Sequence, residues 1–196
     1  MSSYTNLSAA NAVSADRFLN SVVMKVGAYT LDETTIATSG ARHINITHTT
    51  DTTTDTLGTV TVVGLDLSGR TISETITPVA DSLVAGAAWF ASVISATGAG
   101  WVQAGGVSDT IEIGYGAELC VLQGAGQFES IIVNTTAAAT IVIADAGGTI
   151  ATLAASITEG HYEYGLNVCD LTVDLNGASD VTIVHSTSRP SSYAME

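Results

Sequence analysis

The chain has 196 residues, with 5 Lys+Arg against 19 Asp+Glu and a formal net charge of −14 at pH 7. Only 12% of residues are charged while 46% are hydrophobic, and mean hydropathy is +0.37. This excludes disorder driven by charge and low hydropathy. Five cations, Arg17, Lys25, Arg42, Arg70 and Arg189, make no basic stripe to displace counterions from phosphates, so nucleic acid is excluded as a partner.

In chain order, the first 21 residues are small and polar and are expected to form an N-terminal arm. Near its end, Leu19, Val22, Val23 and Val26 follow helical spacing, with Ser14 or Asp16 as a possible N-cap. The stretch from Ser21 to Thr30 reads equally well as a strand. Beyond it the chain is rich in residues that suit a pleated surface, with 28 Thr among many Val and Ile, and 19 Gly serve the turns. Strands are expected at Thr59–Val63, Arg70–Thr77, Thr110–Tyr115, Glu129–Asn134, Thr140–Ile143, Leu171–Leu175 and Val181–His185. Alternation such as Thr110-Ile111-Glu112-Ile113 has period two, which indicates antiparallel β-structure in a sandwich or barrel. The last residues, 188–196, are expected to form a polar tail.

Self-similarity runs through this pattern. Gly106-Val107-Ser108-Asp109-Thr110-Ile111-Glu112-Ile113 is similar to Gly177-Ala178-Ser179-Asp180-Val181-Thr182-Ile183-Val184. Upstream, Thr59–Val63 faces Thr140–Ala144, and each is followed by a short turn and a segment ending in Ile-Thr, at Ile76-Thr77 and Ile157-Thr158. Gly86 with Trp89-Phe90 then faces Gly160 with Tyr162 and Tyr164, and His43–Thr47 faces Ser130–Asn134. The expected organisation is therefore all-β, with two tandem small antiparallel sandwich- or barrel-like domains, residues 22–117 and 118–187, between flexible terminal arms. The second, near 70 residues, is marginal alone and is expected to lean on its neighbour or on another subunit.

No apolar run reaches the ~18 residues of a membrane-spanning helix. The start lacks a basic segment followed by an apolar core, so no secretory leader and no membrane partner are expected. The sequons at Asn6, Asn45 and Asn134 matter only in a secretory pathway. Cys120 and Cys169 form no metal or redox motif and are expected as buried thiols.

The reactive side chains are sparse. His43 and His48 are five apart, which places them on opposite faces of one strand, so they cannot jointly hold a metal there. His161 and His185 lie near expected strand ends. Asp51, Asp55, Asp66, Asp81 and Asp109 are candidate calcium ligands without the spacing of an EF-hand loop. Asp66-Leu67-Ser68-Gly69 fits a hairpin turn, and Asp109 and Asp180 fit turn chemistry ahead of strands. In Glu159-Gly160-His161-Tyr162-Glu163 the Glu and His residues share one side of a strand, with Tyr162 and Tyr164 opposite. A solvated face over buried tyrosines is the plainer account. Trp89, Phe90, Trp101, Tyr115, Tyr162 and Tyr164 are read as core anchors, the alternative being a sugar-binding platform. No catalytic, cofactor-binding or metal-ligating residues are assigned, and no cofactor is called for.

The stretches GTVTVVGLDLSGRTISETITP, AAWFASVISATGAGW and SDTIEIGYG, from Thr59 to Tyr115, are similar to β-rich segments of small virion structural proteins of tailed bacteriophages. SIIVNTTAAATIVIADAGGTIATL and ITEGHYEYGLNVCDLTVDLNGASDVTIVHS, from Ser130 to His185, resemble a second module of the same group. The resemblance implies a non-enzymatic particle component made in the host cytoplasm. Of the head-decoration, head-closure and tail proteins in that group, a capsid decoration (cement) protein on the outer head surface is favoured. Packaged DNA repels an acidic chain, which places it outward. Its implied partners are the major capsid protein or other virion proteins, and a homo-oligomer, with trimers the family habit. A tail or baseplate component is the near alternative, and a carbohydrate-binding adhesin acting through Trp89 or Trp101 the distant one.

Overall fold

The computed structural model describes residues 1–7, 13–36, 40–51, 55–103, 108–177 and 180–187. Among them the strands in chain order are β1 (Ser2–Leu7), β2 (Ser14–Val23), β3 (Gly27–Ala28), β4 (Arg42–Thr49), β5 (Thr59–Leu65), β6 (Thr71–Ile76) and β7 (Leu83–Phe90). They continue with β8 (Ser92–Ala99), β9 (Thr110–Tyr115), β10 (Leu119–Thr135), β11 (Ile141–Asp145), β12 (Gly148–Leu153), β13 (Gly160–Leu175) and β14 (Asp180–Ser186). The protein is all-β. No helix among the described residues is long and apolar enough to cross a membrane.

The chain divides into two compact units. A central unit comprises Ala12–Ala37 and Ala41–Ala117. A terminal unit is assembled from both chain ends, Met1–Asn11 and Glu118–Glu196, with Thr38–Gly40.

In the central unit two four-stranded antiparallel sheets, ordered β2-β9-β4-β7 and β3-β8-β5-β6, share one core. Alternation explains it. Along β5 the pattern puts Val60 and Val62 inside at 0% exposure, while Thr59, Thr61 and Val63 stay partly exposed. Ile44 and Ile46 of β4 and Ile111 and Ile113 of β9 meet them from the other sheet. Phe18 and Leu19 are adjacent yet both fully buried, because β2 shifts register on either side of Leu19. Those irregularities break the period of two and imitate helical spacing, which explains why the segment admits a helical reading from its sequence. It is a strand, running Ser14–Val23 rather than from Ser21 to Thr30.

The terminal unit is one antiparallel sheet, β1-β14-β10-β13-β11-β12. Its two long strands bend. β10 shifts register between Cys120 and Leu122, Leu122 and Ala125, and Phe128 and Ser130. Opposite, Asp170 takes a φ of 54° and its carboxylate accepts the Gly124 N–H at 2.6 Å. Left-handed backbone at a non-glycine residue is held here by that bond. The sheet folds over one core to which every one of its six strands contributes, from Leu7 of β1 to Leu153 of β12.

The two units share one wiring. β4 pairs with β7 and β9, as β10 pairs with β13 and β14. β5 pairs with β6 and β8, as β11 pairs with β12 and β13. What β7 and β8 do as two strands broken at Ala91, β13 does as one bent strand. The repeated motifs fall on equivalent strands, although the residue match slips: Leu153, not Ile157, is the counterpart of Ile76 in the pairing with β11 and β5. The outermost place is filled by β2 beside β9 and by β1 beside β14.

The first 21 residues are thus not an arm. Ser2–Leu7 is a paired strand of the terminal unit and Ser14–Val23 a strand of the central one. The ladder, rather than side-chain hydropathy, orders the polar segment SSYTNL. The expected tail, residues 188–196, lies outside the described residues.

Close approach of backbones fixes one glycine. A Cβ at Gly114 of β9 would collide with the Ser14 and Ala15 backbone of β2, whereas one at Gly116 would meet nothing nearer than 3.7 Å. Gly114→Ala is therefore expected to lower stability by about 1–3 kcal/mol in urea unfolding. Gly116→Ala should leave it within about 0.5 kcal/mol.

Candidate functional site

Three places in the structure gather chemistry-bearing side chains. The first is at one end of the central unit. His48 of β4 and Asp109, just before β9, are buried, with side chains 0% and 3% exposed and Nε2 to Oδ2 at 3.3 Å. The approach is not an aligned hydrogen bond, and among the described residues neither His48 ring nitrogen has a hydrogen-bond partner. The imidazole lies parallel to the Trp101 indole at 6.4 Å between centroids. Asp109 accepts the Asp51 N–H at 2.8 Å, its own N–H goes to Asp55 at 3.3 Å, and Asp81 accepts the Thr50 N–H at 2.8 Å. A cavity of about 180 Å³ opens among His48, Asp55, Asp81 and Asp109.

The structure so brings together three of the five aspartates considered for calcium, with Asp51 beside them through its backbone. Each of the three carboxylates binds a loop N–H, as turn aspartates do. Among the described residues no group of three or more His, Cys, Asp or Glu is arranged to hold a metal ion. Asp66 is elsewhere and closes the turn from β5 to β6. It accepts the N–H groups of Ser68 and Arg70 at 2.8 and 2.9 Å and the Arg70 Nε at 2.9 Å. The Arg70 backbone bond is the chief cause that holds its carboxyl below the usual carboxylate range.

The second place is the solvent face of the terminal unit. Tyr4, Val184, Ser130 and Glu163 lie side by side across β1, β14, β10 and β13, with Ile132 beside His161 one row away. They floor an open trough of about 630 Å³ edged by Glu129. His161 and Glu163 face solvent, while Tyr162 and Tyr164 pack against the core. Glu159 lies outside the strand. The arrangement is a solvated acidic face, and at its edge Glu129 accepts the Ser2 hydroxyl at 2.8 and 3.0 Å. His185 is different: it is buried at 6% exposure with Nε2 3.1 Å from Thr5 Oγ1. Burial pushes its pKa below the ordinary histidine value, opposed by the Glu129 charge.

The third is aromatic. Trp89 is half-buried with the His43 ring tilted 31° against it at 3.5 Å between centroids, and Trp101 is 6% exposed. Phe90 and Tyr115 belong to the core. A sugar platform needs open aromatic faces; Trp101 is buried, and Trp89 is partly exposed beside His43.

The thiols differ from expectation. Cys120 is buried but Cys169 is exposed, and both are free. Burial, aided by the Asp170 charge, pushes Cys120 up to about 12. The same carboxylate raises Cys169. Neither is a thiolate nucleophile at neutral pH.

Sequence reasoning missed two structural charges. Arg42, 1% exposed, donates from Nη1 to the carbonyls of Gly116 and Ala117 at 2.8 Å each, with its guanidinium 4.9 Å from the Tyr115 ring. Glu74 of β6 accepts the N–H groups of Ala87 and Ala88 of β7, at 2.6 and 3.1 Å, and so closes a sheet edge. Isolated charges in β-rich sequence carry no signal of such partners.

A scan against protein-family models gives no match, and searches of the curated proteins and of the solved structures give none either.

Arg42→Ala leaves two carbonyls unpaired and is expected to destabilise by about 2–4 kcal/mol, read by urea unfolding. His185 gives a pH signature. Its folded pKa is depressed, so its contribution is complete above about pH 6.5, the unfolded value, and is lost as pH falls below it because the unfolded chain takes the proton first. Between pH 7.5 and 5.5 the urea midpoint should drop further in the native chain than in His185→Gln.

Proposed function

We propose that this chain is a structural protein of a bacteriophage virion, a decoration (cement) protein on the outer surface of the head. The observation that carries the reading is the character of its sheet faces. On the β3-β8-β5-β6 sheet, Thr61 lies beside Thr75 and Thr97, and Val63 beside Ser73 and Ser95, with the Thr61 and Thr75 hydroxyls 2.9 Å apart. Such a surface of short side chains has little rotamer entropy to lose on contact. It suits broad, shape-matched packing against a protein lattice rather than a pocketed ligand.

Charge supports the same reading. Of the five cations, Arg42 is interior, Arg70 is bound to Asp66, and Arg17 lies 3.9 Å from Glu33. The surface is therefore dominated by carboxylates, which a packaged genome repels. The partner on this reading is the major capsid protein, and copies of the chain associate with one another. Binding only the assembled shell, each copy stabilises it by mass action.

Reconstruction of the intact particle tests this. Density for the chain outside the shell, together with heads that become fragile when it is stripped, is the expected result. Density inside the shell against the genome refutes decoration, and density confined to tails replaces it with a tail role.

A further inference from the structure

The outermost place beside β14 has to be filled from far away. In the central unit the equivalent place beside β9 belongs to β2, which leads into the same unit and anchors it with Phe18 and Leu19, both at 0% exposure. The terminal unit has no such segment at hand. Only three residues, Gly116, Ala117 and Glu118, separate β9 from β10. Its outer strand is β1, from the opposite end of the sequence, paired residue for residue from Ser2↔Ser186 to Leu7↔Val181.

β1 is held lightly. Leu7 is its one buried side chain, at 4% exposure, while Tyr4 is 70% exposed. The remaining ties are polar: Ser2 to both Glu129 carboxylate oxygens at 3.0 and 2.8 Å, Thr5 to His185 at 3.1 Å, and Asn6 to Thr182 at 3.3 Å. Burying one leucine contributes about 1.5–3 kcal/mol. Six residues, Ser8-Ala9-Ala10-Asn11-Ala12-Val13, join it to β2. Without β1, β14 would present a bare backbone edge and uncover His185, a site that pairs with whatever matching strand arrives.

We propose that β1 is an exchangeable strand: in assemblies of this chain it completes the terminal unit of a second copy instead of its own. Every contact named above is identical in the two arrangements, so the choice rests on linker geometry and concentration, the condition for strand swapping. A short tether supplies its own end at an effective concentration in the millimolar range. Exchange therefore prevails where copies are packed at comparable density, and the closed form in dilute solution.

Disulfide trapping tests this in the full chain. In a background carrying Cys120→Ala and Cys169→Ser, one chain bears Asn6→Cys and another Thr182→Cys, positions that face each other across β1 and β14. The two are unfolded, mixed, refolded together and oxidised. A bond between positions 6 and 182 in this mixture joins two molecules, and peptide mass spectrometry identifies it. A chain bearing both substitutions reports the closed form. The mixed bond is expected, rising roughly tenfold for each tenfold increase in chain concentration up to the effective concentration. It should disappear when the donor chain also carries Leu7→Asp. The second facing pair, Tyr4→Cys with Val184→Cys, repeats the measurement. Mixed bonds absent at both pairs at about 1 mM chain, the effective concentration expected of such a tether, overturn the proposal. So does a mixed bond indifferent to Leu7→Asp, which marks random collision.

Discussion

A β-strand offers backbone donors and acceptors along both edges, and the terminal unit meets this demand at β14 by recruiting the first residues of the chain. β14 has β10 on one side and β1 on the other. The central unit solves the same problem with β2 beside β9. Much else follows from closing edges. Glu74 turns its carboxylate onto the free N–H groups of β7, and the bends of β10 and β13 let one sheet enclose its own core. Lysine, the usual guard of exposed edges, occurs once in the chain.

The ionisable groups serve this architecture. Asp66 and Asp109 are nearly buried and spend their oxygens on backbone N–H groups of turns. Asp170 does the same at the bend of β13. Arg42 is consumed by two carbonyls where the central unit ends. Such groups hold loops in place at the junctions between strands, where the backbone has no ladder to satisfy it. Among the described residues, exposed carboxylates such as Glu33, Glu118, Glu159 and Glu163 set the sign of the surface.

The outer positions of β5 and β6 carry mostly Thr and Ser beside Val63 and Glu74, both thiols are raised above their ordinary pKa, and the Trp101 indole is buried. Repetition of one wiring doubles the available faces without adding reactive groups. The proposed place on the outside of a virion uses these properties: an acidic exterior, low-entropy contact surfaces and strand edges able to link copies.

Composition and period determined the all-β class by themselves, because alternation along β5, β9 and β14 reports directly which side chains face a core. Thr110–Tyr115 was legible to the residue, and the turn at Asp66 from the residues it needs. The repeat was legible as an order of strands, though not as a residue match, since loop lengths between strands change without disturbing the pairing. Other features were decided only by tertiary structure. β1 is polar and short and gains its strand form from the edge it meets, so nothing local to it announces a strand. β2 hides behind bulges that mimic a helix. The burial of Arg42 and of the His48–Asp109 pair, and the exposure of Cys169, depend on which distant strands arrive beside them. Side-chain period is a local property of the chain, whereas the pairing of edges and the desolvation of charge are set by neighbours far away in sequence.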